Sequence, residues 1–233
     1  MEPPLSKTSR EQLLASLRGG LILSCQPLRG GVFDQADIVC AYAAMGSTLG
    51  AVALRIESLR DLQAVRPVSS LPLIGLIKRQ DDASPVYITP SPEDVQAIAA
   101  CGAEIIAFDA TDRPRSHSVE ALIRSIHAAG CVAMADISTL AEGQHAEQCG
   151  ADLLATTLSG YTPYSPQQLE PDIALIQALH AAQSAPVIAE GRLHSPAQAR
   201  QALQAGAHAV TVGTAISRPE VLAQNFIDAL REV

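Results

Sequence analysis

The chain alternates between short apolar segments and longer segments of helical character. The apolar segments are too short for helices, and their unbroken hydrophobicity predicts strands buried on both faces. Eight of them follow one another: GLILSCQ (20–26), AVALRI (51–56), LPLIGLIK (71–78), EIIAFDAT (104–111), CVAMADI (131–137), LLATTL (153–158), PVIAEG (186–191) and AVTVG (209–213). Alanine-rich segments lie between most of them, so the pattern predicts repeated strand–helix units on a parallel sheet.

Local signals mark where the helices begin and end. Ser-Pro pairs at 91–92 and 195–196 predict helix starts, with serine as the N-cap and proline at the first helical position. Gly-Ala pairs at 50–51, 102–103, 150–151 and 206–207 each precede a strand, where glycine suits a helix C-cap with positive φ. Each interval between these pairs spans two strand–helix units. Eight strands in four similar quarters predict a (β/α)8 TIM barrel.

A doubly wound open sheet is the alternative fold. It usually shows a glycine-rich phosphate turn after its first strand, and no G-x-G-x-x-G follows SCQPLRGG here. No linker interrupts the series of units, so residues 1–233 are expected to form a single TIM-barrel catalytic domain. Residues 1–19 predict an N-terminal helix that plugs or flanks the bottom of the barrel.

Composition and charge exclude several classes of protein. Hydrophobic residues make up 48% of the chain and charged residues 17%, which favours a packed core over disorder. A net charge of −8 argues against nucleic acid or an anionic membrane as a partner, so an anionic ligand would need a local positive pocket. Five scattered cysteines without C-x-x-C spacing indicate reduced thiols. With no signal-peptide or transmembrane segment, the sequence predicts a soluble, cytoplasmic protein.

In TIM barrels the chemistry lies at the carboxyl ends of the strands. Polar or conformationally special residues end the predicted strands: Gln26, Arg55, Lys78, Asp109, Asp136, Thr157, Glu190 and Gly213. Lys78 is either a solvated lysine or a general base whose ammonium form is disfavoured by desolvation. Glu190 is either a capping or loop carboxylate, or it pairs with Lys78 across the barrel as a second acid–base group or a positioning group. Asp109 and Asp136 either cap the helices that follow or bind substrate.

The loops after the seventh and eighth strands predict a phosphate site. Gly191, Gly213 and Thr214 offer backbone N–H groups, and Arg192 or Arg218 adds a positive charge. The alternative is that Gly213 only permits a tight turn and Arg218 lies on the surface. The histidines show no metal-ligand spacing, and no carboxylate cluster accompanies them, so no metal site is expected.

Several of these stretches together resemble the N-acetylmannosamine-6-phosphate 2-epimerases. The resemblance runs from about residue 18 to 228 and rests on LILSCQ, LIGLIKR with SPVYITPS, FDATDRPR, MADIST, TTLSGYT, PVIAEGR and VGTAISRP. It implies an isomerase that interconverts N-acetylmannosamine 6-phosphate and N-acetylglucosamine 6-phosphate in amino-sugar and sialic acid catabolism. It also implies that no cofactor is required. Such a reaction breaks the C2–H bond, and either one base serves both faces or Lys78 and Glu190 take opposite faces.

The resemblance also assigns roles to residues. It implies that Lys78 and Glu190 are catalytic. The residues implied to contact the sugar are Gln26, Arg55 and Asp136, and those implied to surround the phosphate are Gly191, Arg192, Gly213, Thr214 and Arg218. The chain departs from the family in three places: PLRGGVFD follows SCQ where a proline–glycine–glutamate type of loop is common, ALRIES stands where GIRAN is common, and Thr214 replaces serine or glycine. The second departure places Glu57 where asparagine is usual.

Two rival functions remain. Lys78 could form a Schiff base in a phosphate-binding lyase or synthase, or the chain could be a non-catalytic sugar-phosphate sensor. The presence of both Lys78 and Glu190 argues against a sensor, which needs no base. Alanine-rich helix faces are also compatible with a homo-oligomer, and a dimer is the expected form.

Overall fold

The computed structural model describes residues 7–80 and 84–231. Eight strands are present at the predicted positions. They are β1 Leu21–Cys25, β2 Ala53–Glu57, β3 Leu73–Leu76, β4 Ile105–Asp109, β5 Val132–Asp136, β6 Leu153–Ala155, β7 Val187–Glu190 and β8 Ala209–Val212.

Helices separate the strands. They are α1 Lys7–Ser16, α2 Ala36–Leu49, α3 Leu59–Val65, α4 Pro92–Ala100, α5 Val119–Ala128, α6 Leu140–Gln148, α7 Ile173–Ala182, α8 Pro196–Gln204, α9 Thr214–Ser217 and α10 Pro219–Arg231. Of the helices within the described ranges, none has both the length and the hydrophobicity needed to span a bilayer.

The strands form one closed parallel barrel in the order β1 to β8. Closure occurs where β1 pairs with β8, with Ile22 opposite Thr211 and Leu23 opposite Val212. This arrangement confirms the predicted TIM barrel and rules out the open doubly wound sheet. Because all the strands run in the same direction, their carboxyl ends meet at one mouth, and the polar residues that end them are brought together there.

The predicted helix signals are also found. Ser91 caps α4 and Ser195 caps α8 through side-chain oxygens that accept backbone N–H groups three residues on. The glycines at 50, 102, 150 and 206 have φ values of 83, 80, 98 and 104°, the left-handed conformation in which glycine carries no penalty. These residues end the helices sharply, so each chain segment turns directly into the next strand.

The core has two layers because successive strand residues point to opposite sides of the barrel wall. In β4, Ile105 belongs to the layer inside the barrel and Ile106 to the layer between strands and helices. The N-terminal helix α1 is confirmed as well. Leu17, just after it, is fully buried in the inner layer, and the backbone N–H of Gly19 donates to the carbonyl of His208 at 2.7 Å. The helix therefore packs at the amino end of the barrel, away from the mouth.

Candidate active site

A cavity of about 200 Å³ opens at the carboxyl ends of the strands. All the site residues expected from the sequence line it except Asp136: Gln26, Arg55, Lys78, Glu190, Gly191, Arg192, Gly213, Thr214 and Arg218. Eight further residues complete the lining: Ser24, Tyr87, Ile88, Thr157, Tyr161, Leu193, His194 and Thr211. The barrel thus gathers residues from distant parts of the chain around one space.

A buried ion pair forms the floor of this mouth. Arg55 at the third position of β2 and Asp136 at the end of β5 are 1% and 0% exposed. Two hydrogen bonds join them, from Nη2 to Oδ2 at 2.6 Å and from Nη1 to Oδ1 at 3.1 Å. Thr157 donates to Asp136 Oδ1 at 2.6 Å. Asp136 therefore lies behind Arg55 and orients it, and it does not itself line the cavity.

The Arg55 guanidinium stays charged despite its burial. Burial alone would lower its pKa, but the carboxylates of Asp136 and Glu190 outweigh burial and raise the pKa above its ordinary value. A permanent, fixed cation in a site of low polarity exerts a stronger field than the same group in water. Arg55 can therefore stabilise negative charge that develops on a bound molecule.

Glu190 ends β7 and faces this cation. Its Oε2 lies 3.0 Å from Arg55 Nη1, yet it is buried without a hydrogen bond because that nitrogen is directed at Asp136. Burial raises the pKa of Glu190 to about 7, Arg55 opposes the increase, and the charge of Asp136 adds to it. Near neutral pH this carboxyl group can both hold and release a proton, as a general acid or base must.

Lys78 lies two residues beyond β3, and its side chain enters the mouth. Its backbone forms an antiparallel bridge with Ile88, which anchors the residue beside the cavity. The Nζ donates to Gln26 Oε1 at 2.7 Å and lies 3.1 Å from Glu57 Oε2. Burial lowers the pKa of Lys78, and the charge of Glu57 opposes the decrease. Lys78 is thus a partly desolvated amine at the site and not a free surface lysine.

Gly191 follows β7, Gly213 and Thr214 follow the neighbouring β8, and Arg218 follows α9; all four line the cavity. The backbone N–H groups of Gly191, Gly213 and Thr214 donate to no backbone carbonyl of the described residues. Arg218 donates through Nε to the carbonyl of Gln26 at 2.9 Å, and within the described chain its two Nη nitrogens have no hydrogen-bond acceptor. These donors are available to an anion.

Arg192 is placed differently from the other phosphate candidates. Its backbone has a φ of 57°, and its guanidinium donates to the carbonyls of Ser159 and Glu170, the latter at 2.8 Å. The guanidinium also lies 5.9 Å from the centre of the Tyr161 ring. Arg192 therefore ties the segment between β6 and α7 to the cavity edge.

Two strand-end aspartates are not helix caps. Ser118 caps α5 and Thr139 caps α6, so the capping alternative for Asp109 and Asp136 is wrong. The fully buried Asp109 instead accepts from Arg113 at 2.5 Å and does not line the cavity. The interpretation of Glu190 as a cap is also wrong, because Ser195 caps the helix that follows.

Sequence reasoning did not assign several of the lining residues. Thr211 lies opposite Glu190 in the β7–β8 register, and its buried hydroxyl opposes the increase in the pKa of that carboxyl group. Its position in AVTVG could have indicated this place from the sequence, because residues two apart on a strand share a face. The ring centre of Tyr87 lies 5.8 Å from the Arg113 guanidinium carbon. Tyr87 comes from the loop after β3, where no strand periodicity indicates which way a side chain points.

Across residues 7–80 and 84–231, no group of three or more His, Cys, Asp and Glu side chains is arranged to hold a metal ion. The charged groups at the mouth contact one another or the cavity, and they suit an anionic, oxygen-rich ligand through Arg55, Arg218 and the free backbone N–H groups.

Comparison with known proteins gives a consistent result. Residues 39–232 match the family model described as "Putative N-acetylmannosamine-6-phosphate epimerase". A relative with the corresponding 2-epimerase name from Edwardsiella ictaluri is 51% identical over 213 residues, which cover 91% of this chain and 90% of the relative. Another, from Klebsiella pneumoniae, is 52% identical over 213 residues, with the same shares of 91% and 90%.

A solved structure has the same architecture. The N-acetylmannosamine-6-phosphate 2-epimerase from Clostridium perfringens superimposes with a TM-score of 0.90 at 41% sequence identity, over 93% of this chain and 96% of that one. A thiamine phosphate pyrophosphorylase from Pyrococcus furiosus, at 16% identity and a TM-score of 0.59 over 88% and 89% of the two chains, shares the barrel fold alone.

The raised pKa of Glu190 predicts a pH-dependent stability. Between its ordinary pKa and about 7, the folded protein keeps a proton on Glu190 that the unfolded chain releases, so stability from this group falls as pH rises through that window. We expect Glu190→Gln to gain stability relative to wild type between pH 5 and pH 8, on the order of 2–3 kcal/mol. Urea denaturation at several pH values measures the difference. The exposed Glu120→Gln is the control, and parallel curves for Glu190→Gln and wild type would contradict the expectation.

Proposed function

This chain belongs to the N-acetylmannosamine-6-phosphate epimerase family, and we propose that Lys78 and Glu190 move the C2 proton in the interconversion of N-acetylmannosamine 6-phosphate and N-acetylglucosamine 6-phosphate. The observation that supports these roles most directly is the pair of opposite pKa shifts at the mouth. Burial lowers the pKa of Lys78 and raises that of Glu190, so both approach neutrality. Acid–base catalysis is most effective with such groups.

The proposed reaction starts from the open-chain sugar. Its C2–H bond breaks, the proton goes to the neutral amine of Lys78 or to the Glu190 carboxylate, and the electron pair moves onto the C1 carbonyl oxygen as an enolate. Arg55 carries the fixed positive charge next to this site and would stabilise that oxygen. Return of a proton to the other face of C2 completes the inversion, with no net change in oxidation state.

The barrel geometry supports a separate role for each group. In a closed ring of eight strands, β3 and β7 lie opposite one another, and Lys78 follows the first while Glu190 ends the second. The two side chains therefore approach a bound C2 carbon from opposite sides. We propose that each serves one face, so that the proton removed by one group differs from the proton supplied by the other.

We further propose that the phosphate binds at Gly191, Gly213, Thr214 and Arg218, with Arg192 holding the adjacent loop edge. The free backbone N–H groups and the Nη nitrogens of Arg218 support this location. Phosphate binding there would hold the open chain with C2 between Lys78 and Glu190, so that binding energy remote from the reaction orients the reacting carbon. Gln26 contacts Lys78 and borders the same cavity, which suits a sugar contact.

The proposed location is the cytoplasm. All five cysteines are free thiols, which suits a reducing compartment, and a doubly charged sugar phosphate does not cross a bilayer unaided. Amino-sugar and sialic acid catabolism would provide the substrate there.

The first prediction concerns the proton. In D₂O, we expect N-acetylmannosamine 6-phosphate to give N-acetylglucosamine 6-phosphate that carries deuterium at C2 from the first turnovers, because the group that donates is not the one that accepted. Proton NMR follows both sugars.

Lys78→Ala should lose at least about a hundredfold in kcat while still binding the sugar phosphate, because the base is gone and the pocket remains. Lys7→Ala in α1, the other lysine, is the matched control. Retained turnover in Lys78→Ala would refute the assignment.

The second prediction concerns the phosphate. Arg218→Ala should raise KM by about ten- to a hundredfold with a smaller change in kcat, since one charge-assisted contact is worth about 1.5–3 kcal/mol. Arg218→Lys should retain part of the affinity. Unphosphorylated N-acetylmannosamine separates the effects, because Arg218→Ala should leave its weak binding unchanged. An equal loss for both sugars would place Arg218 outside the phosphate site.

The third prediction concerns assembly. The described part of α10 buries none of its residues and exposes Phe226, Ile227 and Leu230, at 74%, 45% and 77%. We propose that this apolar face packs against a second copy in a homodimer, since an exposed apolar face on a helix usually marks an interface. Light scattering after gel filtration should give twice the mass of one chain, and Phe226→Asp should lower it. A single-chain mass for wild type would exclude the dimer.

A further inference from the structure

Glu57 is a charged residue beside the proposed base that the reaction scheme does not use. It is the last residue of β2, and its Oε2 lies 3.1 Å from Lys78 Nζ. Glu57 is not one of the described residues that line the substrate cavity. Its side chain instead borders a neighbouring cavity of about 220 Å³ with Asp34 and Arg60. It also borders a cavity of about 670 Å³ that reaches Lys78, Tyr87 and Arg218. Glu57 therefore contacts Lys78 from outside the lining of the substrate cavity.

Two acceptors fix the position of the Lys78 ammonium. One is Glu57, and the other is Gln26 Oε1, at 2.7 Å. The orientation of the Gln26 amide is itself set, because its Nε2 donates to Ser24 Oγ at 3.0 Å. An ammonium group has three N–H donors. Within the described residues, Gln26 just after β1 and Glu57 of β2 take two of them, which leaves the third for the cavity.

The charges around Lys78 make Glu57 its principal counter-ion. The groups that face Lys78 are Glu57 and Arg55 from β2, Arg218 after α9, Glu190 from β7, and the uncharged Gln26 and Tyr87 at the cavity wall. Arg55 and Arg218 repel the ammonium form, as burial also disfavours it, whereas Glu57 supports it at contact distance. Within residues 7–80 and 84–231, its removal would leave the ammonium without a carboxylate in direct contact.

We propose that Glu57 is a positioning residue that holds the Lys78 ammonium against Gln26 and controls how readily Lys78 gives up its proton to become the base. The inference rests on the role proposed for Lys78. In this role Glu57 affects proton transfer through Lys78 and does not contact the substrate. Glutamine at this position would keep a hydrogen-bond acceptor and remove only the charge, which makes Glu57→Gln the appropriate test.

The chain is well suited to a direct measurement because it contains only two lysines, Lys7 and Lys78. With lysine labelled by ¹³C at Cε, NMR shows two signals, and Lys7→Arg identifies which belongs to Lys78. We expect the Lys78 titration midpoint to fall by about one pH unit in Glu57→Gln, a tenfold change in its proton affinity. Glu57→Asp, which keeps the charge on a shorter side chain, should fall between wild type and Glu57→Gln. An unchanged midpoint in Glu57→Gln would overturn the proposal.

Kinetics then tests the consequence for the reaction. With kcat/KM measured in both directions, the acid limb of the direction in which Lys78 removes the C2 proton should move to lower pH in Glu57→Gln by the amount seen in NMR, with KM changed by less than about twofold. Glu120→Gln, the same change on an exposed face of α5, should leave the limb in place. A rise in KM with an unmoved limb would make Glu57 a substrate contact and overturn the positioning role. The NMR shift needs no turnover, so an inactive wild type with an intact shift would reject the reaction and keep the Glu57–Lys78 coupling.

Discussion

The buried ion pair between Arg55 and Asp136 is the constraint on which the mouth of this barrel depends. Neither side chain has access to water, so each charge alone would carry a large desolvation penalty. The two hydrogen bonds between Arg55 and Asp136 offset that penalty. The pair spans the mouth from β2 to β5 and accepts one more hydrogen bond from Thr157. Because burial and these hydrogen bonds hold the pair in place, its charges act on Lys78 and Glu190 from fixed positions.

That field acts on the two proposed acid–base groups differently. For Lys78, the positive charge of Arg55 acts in the same direction as burial, and both lower the pKa. For Glu190, Arg55 opposes burial and limits the increase in pKa, while Asp136 adds to it. Burial lowers the pKa of Lys78 and raises that of Glu190, and the one fixed cation adds to the first shift and opposes the second.

The sequence predicted the scaffold well because its signals are local. Strand length, the Ser-Pro helix starts and the left-handed glycines are each encoded within a few residues, and all eight strands, both caps and the four glycine turns are found. Strand direction then places the strand-end residues at one mouth. What local pattern cannot reveal is which of these residues contact one another: Asp109 and Asp136 both end strands and are fully buried, yet their partners are different arginines, Arg113 and Arg55. Such pairings depend on three-dimensional packing across the barrel.

The alternation of a single strand links the two proposed acid–base groups. Residues two apart on a strand point to the same side, so Arg55 and Glu57 lie on one face of β2. Arg55 lies against Glu190, and Glu57 lies against Lys78, so β2 gives each group a partner of opposite charge. A shift of β2 by one residue would turn both partners outward and leave Asp136 and Glu190 without their buried cation. The register of β2 with β3, in which Arg55 is opposite Ile74 and Glu57 opposite Leu76, is therefore as much a requirement of the chemistry as of the fold.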